Sequence, residues 1–405
     1  MVPPLVWAHV DSTLTLKEAA DRAGVTPATL KRWAETGVIP DVNRKKPVWT
    51  PPVIAHARIV ARLRERGHTL EQIRRAGKEG RLAYGFIEDL FPDARETVTL
   101  DEVSDETGLE PALITRIWTS LGLPAHGLER LTPEDVQALR YVASVLDAGF
   151  PLVAFLQLSR VYGQTLSQIA DAETRLFHLY VHEPLMRDGV PGLQMAEEME
   201  HLARDLLPLA SPIMDYVHQR YLQHFVEQDV IGHMEMDLED DAELGRVKVA
   251  VGFADLAGYT RFTEEEGEEE ALSYVERFIE AVQDTIPDDA RVIKTIGDEV
   301  MVVGYDVGAL VDWAVGFQTL WTHRPTARIG IHYGSTLYRD GDYFGRDVNL
   351  ASRVVARSRG GEVLVTDTVM DAIRDKGHLE FENLGEVKLK GFNEPRSLCR
   401  AFRTD

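Results

Sequence analysis

RVKVAVGFADLAGYTRFT, residues 246–263, decides the fold class of this chain. Its first half is a β-branched, apolar run of strand length that ends in a carboxylate, Asp255. Gly258 follows, and with it the start of a helix. A strand that delivers a carboxylate to a turn beside a helix start can hold a divalent metal, and the N–H groups of Ala257, Gly258, Tyr259 and Thr260 are expected to receive phosphates.

Further short β-branched runs extend the pattern: ARVIKTIGDEVMVVG (290–304), TARIGIHYG (326–334), GEVLVTD (361–367) and FENLGEVKLKG (381–391). They alternate with helical stretches, as in an α/β or α+β domain. Before about residue 235 apolar positions recur at three and four residues, so that region is expected to be all helix. Between the two lies MDLEDDAELGR, residues 236–246, acidic and poor in large apolar side chains. It marks a linker, with one domain at 247–405 and helical regions at 1–80 and 81–235. The run EEEGEEE (264–270) suggests a metal cluster but fits acidic residues at a helix start after Thr263 better.

The helical region repeats itself. Residues 14–40 align with 98–124, matching Thr15 to Thr99, Asp21 to Asp105, Gly24 to Gly108, Pro27 to Pro111 and Pro40 to Pro124. The likeness continues from 50–70 to 132–152, with Gly67 opposite Gly149. Each copy predicts a helix, a glycine turn and a proline-started second helix.

At 405 residues the chain is long enough for two to four domains, and its 44% apolar and 27% charged composition is globular. No apolar run approaches bilayer length and no export signal opens the chain, so a cytoplasmic protein without membrane insertion is expected. The lone Cys399 excludes an internal disulfide and fits a partly buried thiol in a reducing compartment. A net charge of −22 argues against nucleic acid as the main partner. Residues 1–80, however, hold 14 Lys and Arg against 8 Asp and Glu, or +6, leaving −28 for the rest.

A second carboxylate, Asp298, follows the tight turn at Gly297 in VIKTIGDEVMVV. Two hard oxygen ligands on neighbouring β-elements suit a pair of Mg²⁺ or Mn²⁺ ions. With FADLAGYT, KTIGDEVM, GDYFGRDVNLASR and VKLKGF in that order, residues 247 to about 393 resemble the class III nucleotidyl cyclase catalytic domain. The resemblance implies a ferredoxin-like α+β fold behind an all-helical regulatory region, a head-to-tail homodimer, and conversion of ATP to cyclic AMP with two metals per site. It assigns the metals to Asp255 and Asp298 and adenine to Lys294 and Asp342. Asn349 and Arg353 would act on the ribose and the transition state, and Lys390 on the triphosphate. Adenine shows an acceptor at N1 and a donor at N6, which a Lys beside an Asp complements; guanine shows the reverse. A guanylyl cyclase of the family usually has Glu where this chain has Lys294. Asn349 and Arg353, four apart, share a helix face.

Residues 14–75 resemble the MerR family of DNA-binding domains, with NRKKPVWT where that family has its wing. Lys31, Arg32, Arg44, Lys45 and Lys46 are the DNA-contact candidates. The second copy keeps Arg116 but carries Asp101, Glu102, Asp105, Glu106 and Glu110, which would repel phosphate. Residues from about 55 to 235 resemble the regulatory half of bacterial pH-sensing class III adenylyl cyclases. His218, His224 and His233 are its pH-sensing candidates, with His178 and His182 nearby. The competing expectation is a DNA-binding regulator whose cyclase domain is weakly active or sensory.

Overall fold

The computed structural model describes residues 14–39, 47–82, 97–190, 192–235, 245–373 and 377–403. The chain forms two compact units, Met1–Leu222 and Gln223–Asp405. The division falls inside a helix rather than in the acidic segment, of which 236–244 lie outside the described residues.

The first unit is built on the repeat. One copy comprises α1 (Leu16–Arg22), α2 (Pro27–Glu35), α3 (Pro51–Glu65) and α4 (Leu70–Lys78). The other comprises α5 (Leu100–Thr107), α6 (Pro111–Ser120), α7 (Pro133–Asp147) and α8 (Leu152–Phe177). The equivalence reaches single hydrogen bonds. Thr15 and Thr99 each close a capping box with the Glu three residues on, Glu18 and Glu102. Gly24 and Gly108 both sit at positive φ, 66° and 72°, where a side chain would be strained. A lone antiparallel bridge ties Leu14 to Trp49 in one copy and Val98 to Leu131 in the other. Each copy has its own core, around Leu30, Trp33 and Ile73 in the first and around Ile114, Leu131 and Leu139 in the second. After α8 come a π-helical turn at His178–His182, the short α9 (Glu183–Arg187) and α10 (Gly192–Glu235), 44 residues long.

The second unit opens with β1 (Arg246–Leu256), α11 (Tyr259–Glu266), α12 (Glu268–Thr285), β2 (Ala290–Ile296), β3 (Glu299–Gly304) and α13 (Val307–Leu320). It continues with β4 (Ala327–Arg339), β5 (Asp342–Phe344), α14 (Arg346–Arg357), β6 (Val363–Thr366), α15 (Asp367–Ala372), β7 (Leu379–Val387) and β8 (Arg396–Arg403). The sheet runs β2-β3-β1-β4-β6-β8-β7, with β5 hung on β4. Its first four strands, each antiparallel to its neighbours in the sheet, have the ferredoxin-like order. One face packs on α12 and α13 through Phe278, Leu310 and Phe317; the other carries α14. Gly330 on β4 makes that second contact possible, since a Cβ there would lie 2.2 Å from the backbone nitrogen of Val355. Cys399 is buried on β8.

The acidic run behaves differently from the expectation. Gly267 (φ 94°) ends α11, so Glu264–Glu266 close one helix and Glu268–Glu270 open the next, where they favour its dipole.

Candidate active site

β1 is antiparallel to both its neighbours, and register places Asp255 opposite Glu299 on β3 and Arg328 on β4. Arg328 donates through Nε to the Asp255 carboxylate at 2.8 Å and also through Nη2. Asp298 stands just before β3, after the tight turn at Gly297 (φ 64°), and next to Glu299, the residue opposite Asp255. Burial, then Asp255 as hydrogen-bond partner and like charge, holds Asp298 far above the usual carboxylate range, at about 7. Burial raises Glu299 as well. Two neighbouring carboxylates of like charge form a donor set that a divalent cation fits. Among the described residues no three His, Cys, Asp or Glu side chains form a ready metal cage. Mg²⁺ is commonly held by one or two carboxylates with substrate phosphates completing the shell, which this pair allows.

Gly258 (φ 80°) caps α11, as a phosphate-receiving turn requires. The expectation for Ala257 needs correction: its N–H donates to the Thr326 carbonyl at 2.9 Å and is spent within the sheet. The donors left for a phosphate are those of Gly258, Tyr259 and Thr260.

Lys294 lies on β2 and Asp342 opens β5, 48 residues apart, and their side chains form a direct ion pair. Both stay partly accessible, at 36% and 23%, so a ligand can still reach them. A bulge between Val292 and Lys294 shifts the strand register just where Lys294 must face β5. The second oxygen of Asp342 accepts the Tyr343 N–H at 2.8 Å, and the Phe344 ring lies 5.9 Å from the Lys294 ammonium.

Asn349 and Arg353 lie on α14, both exposed. The charge of Arg353 reaches Glu299 and so the carboxylate cluster. Lys390 is exposed in the turn between β7 and β8. Arg328, unforeseen from sequence, is therefore part of the site. The signal was the alternation in TARIGIHYG, which sets Arg328 one register step from the strand end that carries Asp255.

The regulatory candidates are less gathered. His218 and His224 are exposed on α10, and the His233 side chain lies outside the described residues. The neighbouring pair is in closer contact: His182 is buried, its Nε2 is 3.1 Å from the Gly80 carbonyl, and its Nδ1 is 3.1 Å from His178 Nδ1. Lys31 and Arg32 are exposed on α2, Lys31 3.9 Å from Glu35. Arg44, Lys45 and Lys46 lie outside the described residues.

Residues 245–399 match the adenylate and guanylate cyclase catalytic domain, 54–226 the adenylate cyclase regulatory domain, and 14–79 the MerR HTH family regulatory protein. An adenylate cyclase of Streptomyces coelicolor is 32% identical over 285 residues, covering 69% of this chain and 72% of its own length. A pH-sensitive adenylate cyclase of Mycobacterium tuberculosis is 29% identical over 363 residues, covering 86% and 88%. The solved adenylyl cyclase CyaB from P. aeruginosa is 23% identical, with a TM-score of 0.36, over 40% of this chain and 98% of that one.

Proposed function

This chain belongs to the class III adenylate cyclases, and from that premise we propose that two copies of it convert ATP to 3′,5′-cyclic AMP and pyrophosphate at shared sites, under control of the helical half. The observation that carries this reading is the presence on one sheet of two distinct pairs, Asp255 with Asp298 and Lys294 with Asp342. The first is suited to metal and phosphate, the second to the edge of adenine. Two Mg²⁺ or Mn²⁺ ions held by Asp255 and Asp298 would lower the pKa of the ribose 3′-hydroxyl and neutralise the triphosphate.

The protein's own groups do the rest. Lys294 donates to adenine N1 and Asp342 accepts from N6. Asn349 orients the ribose, while Lys390 and the N–H groups of Gly258, Tyr259 and Thr260 hold phosphate oxygens. The 3′-oxygen attacks the α-phosphorus in line, its proton passes to solvent, and the bond to the β-phosphate oxygen breaks. Arg353 meets the charge that develops on the α-phosphate. Homodimerisation is supported by Leu202, Leu206, Leu209, Ile213 and Tyr216 on α10, exposed at alternating spacings of four and three, the pattern of a helix seam. A cytoplasmic location belongs to the same reading.

Purified protein supplied with Mn²⁺ and either ATP or GTP tests the proposal. Cyclic AMP should form from ATP, only with metal, and GTP should be a poor substrate. Equal use of GTP, or no cyclic product, overturns it.

For regulation we propose acidification as the signal, with His218, His224 and His233 as first candidates and the His178–His182 contact as a further one. A second reading gives the first helical module a DNA partner, favoured by the exposure of Lys31 and Arg32 on the second helix of a helix-turn-helix. Duplex binding that weakens with salt and disappears in Lys31→Glu/Arg32→Glu would support it, and salt-independent or unaltered binding would end it.

A further inference from the structure

β5 is only three residues long and pairs on one side alone, with β4, through Leu337–Phe344, Tyr338–Tyr343 and Arg339–Asp342. A strand so short contributes little by its own hydrogen bonds, yet it carries Asp342 and leads into α14. What anchors it is Tyr343. That side chain is buried among Val249, Met301, Val303 and Val348, and its hydroxyl accepts a hydrogen bond from the guanidinium of Arg291. Burial pushes the Tyr343 hydroxyl up to about 12, so it stays a neutral partner. Arg291 stands on β2, three residues before Lys294, and is itself enclosed by aromatic rings. Its guanidinium lies 5.6 Å from the Tyr343 centroid, 5.9 Å from Tyr338 and 5.5 Å from Phe225 of α10.

β2 and β5 are therefore joined twice across the same gap, outwardly by Lys294 and Asp342 and inwardly by Arg291 and Tyr343. The inner link can fix the outer one, because the Tyr343 N–H holds the Asp342 carboxylate at 2.8 Å. We propose that Arg291 is the positioning residue for base selection: by holding Tyr343 it fixes β5, and so sets the distance and orientation at which Asp342 and Lys294 meet the base. It touches neither substrate nor metal. This inference rests on the reading of Lys294 and Asp342 as the adenine contacts.

Tyr343→Phe keeps the ring and its packing and removes only the hydroxyl; Arg291→Met keeps an unbranched buried stem and removes the donor. Steady-state kinetics of the full chain with ATP and with GTP should show the ATP KM raised roughly tenfold and the ATP-over-GTP preference reduced, with kcat within about threefold of wild type. A purely structural role would lower the active fraction and leave both KM and preference unchanged, and that result overturns the proposal. Should Arg291→Met fail to fold, Tyr343→Phe decides alone. Lys294→Glu, run alongside, separates the two levels of inference. Loss of preference in Lys294→Glu with full retention in Tyr343→Phe defeats the positioning role only. Retention in Lys294→Glu defeats the base-contact reading and the positioning role with it.

Discussion

Asp255 is opposed by Arg328 on one side and Glu299 on the other, so strand register sets a guanidinium and a second carboxylate directly across from it. Asp255→Ala or Asp298→Ala should lower ATP turnover by at least about a hundredfold, because each removes a ligand from the ions that would activate the nucleophile and hold the phosphates. Wild-type turnover in either variant ends the metal assignment. The pKa of Asp298, raised from 3.8 to about 7, fixes the sign of a pH effect. Its proton is retained below that value and must leave for metal to bind, so Mn²⁺ affinity measured by calorimetry should fall as pH drops through about 7. An affinity flat across that range would show that Asp298 is not a ligand. Lys294→Glu turns a donor into an acceptor; ATP use should fall steeply while GTP use need not rise. These residues were legible because each stands in a short motif whose chemistry is local. Arg328 and Arg291 were not, since their partners lie 73 and 52 residues away and only strand register reveals them.

At the scale of elements, the capping boxes of α1 and α5 and the glycine turns after them show why the repeat could be read from sequence: caps and positive-φ glycines are local requirements. β5 and β8 could not be read in the same way. β5 is too short to show a period, and β8, RSLCRAFR, has one basic residue at each end and one inside, hiding the inward Leu398 and Ala401. The π-helical turn was equally hidden, yet it brings His178 and His182 together. With the His182 Nε2 hydrogen given to Gly80, its Nδ1 must accept from His178. A proton added to His182 Nδ1 sets two N–H donors face to face. Desolvation, the largest influence on His182, lowers its pKa below 6.5, with His178 opposing the charge and Gly80 and Glu183 favouring it. The stabilisation is thus present above the unfolded value and lost as pH falls through the lowered folded one. Melting temperature should drop between about pH 7.5 and pH 5.5, and His182→Gln should drop less. Equal slopes would leave the pair without a role in acid response.

For the whole molecule, Lys294 and Asp298 flank one tight turn, yet in the proposed reaction one meets the base and the other the metals at the far end of the nucleotide. A single turn cannot span those ends, so one chain's carboxylates are expected to work with the partner's Lys294, Asp342, Asn349 and Arg353. Asp255→Ala and Arg353→Ala chains, each inactive alone, should on mixing recover about a quarter of wild-type activity, since half the dimers are mixed and each has one intact site of two. No recovery, with exchange shown by tag pull-down, would mean that each chain carries a whole site. The close approach of α14 to β4 at Gly330 bears on how such an enzyme can be switched at all. Helix and strand touch backbone to backbone there, with no cushion of side chains to compress or slide, so Asn349 and Arg353 are as stiff as the sheet beneath them. Such a helix cannot act as a lever. In the proposed dimer the freedom left would be between one protomer and the other, and inhibition would amount to misalignment of two halves of a mould, each of which keeps its shape.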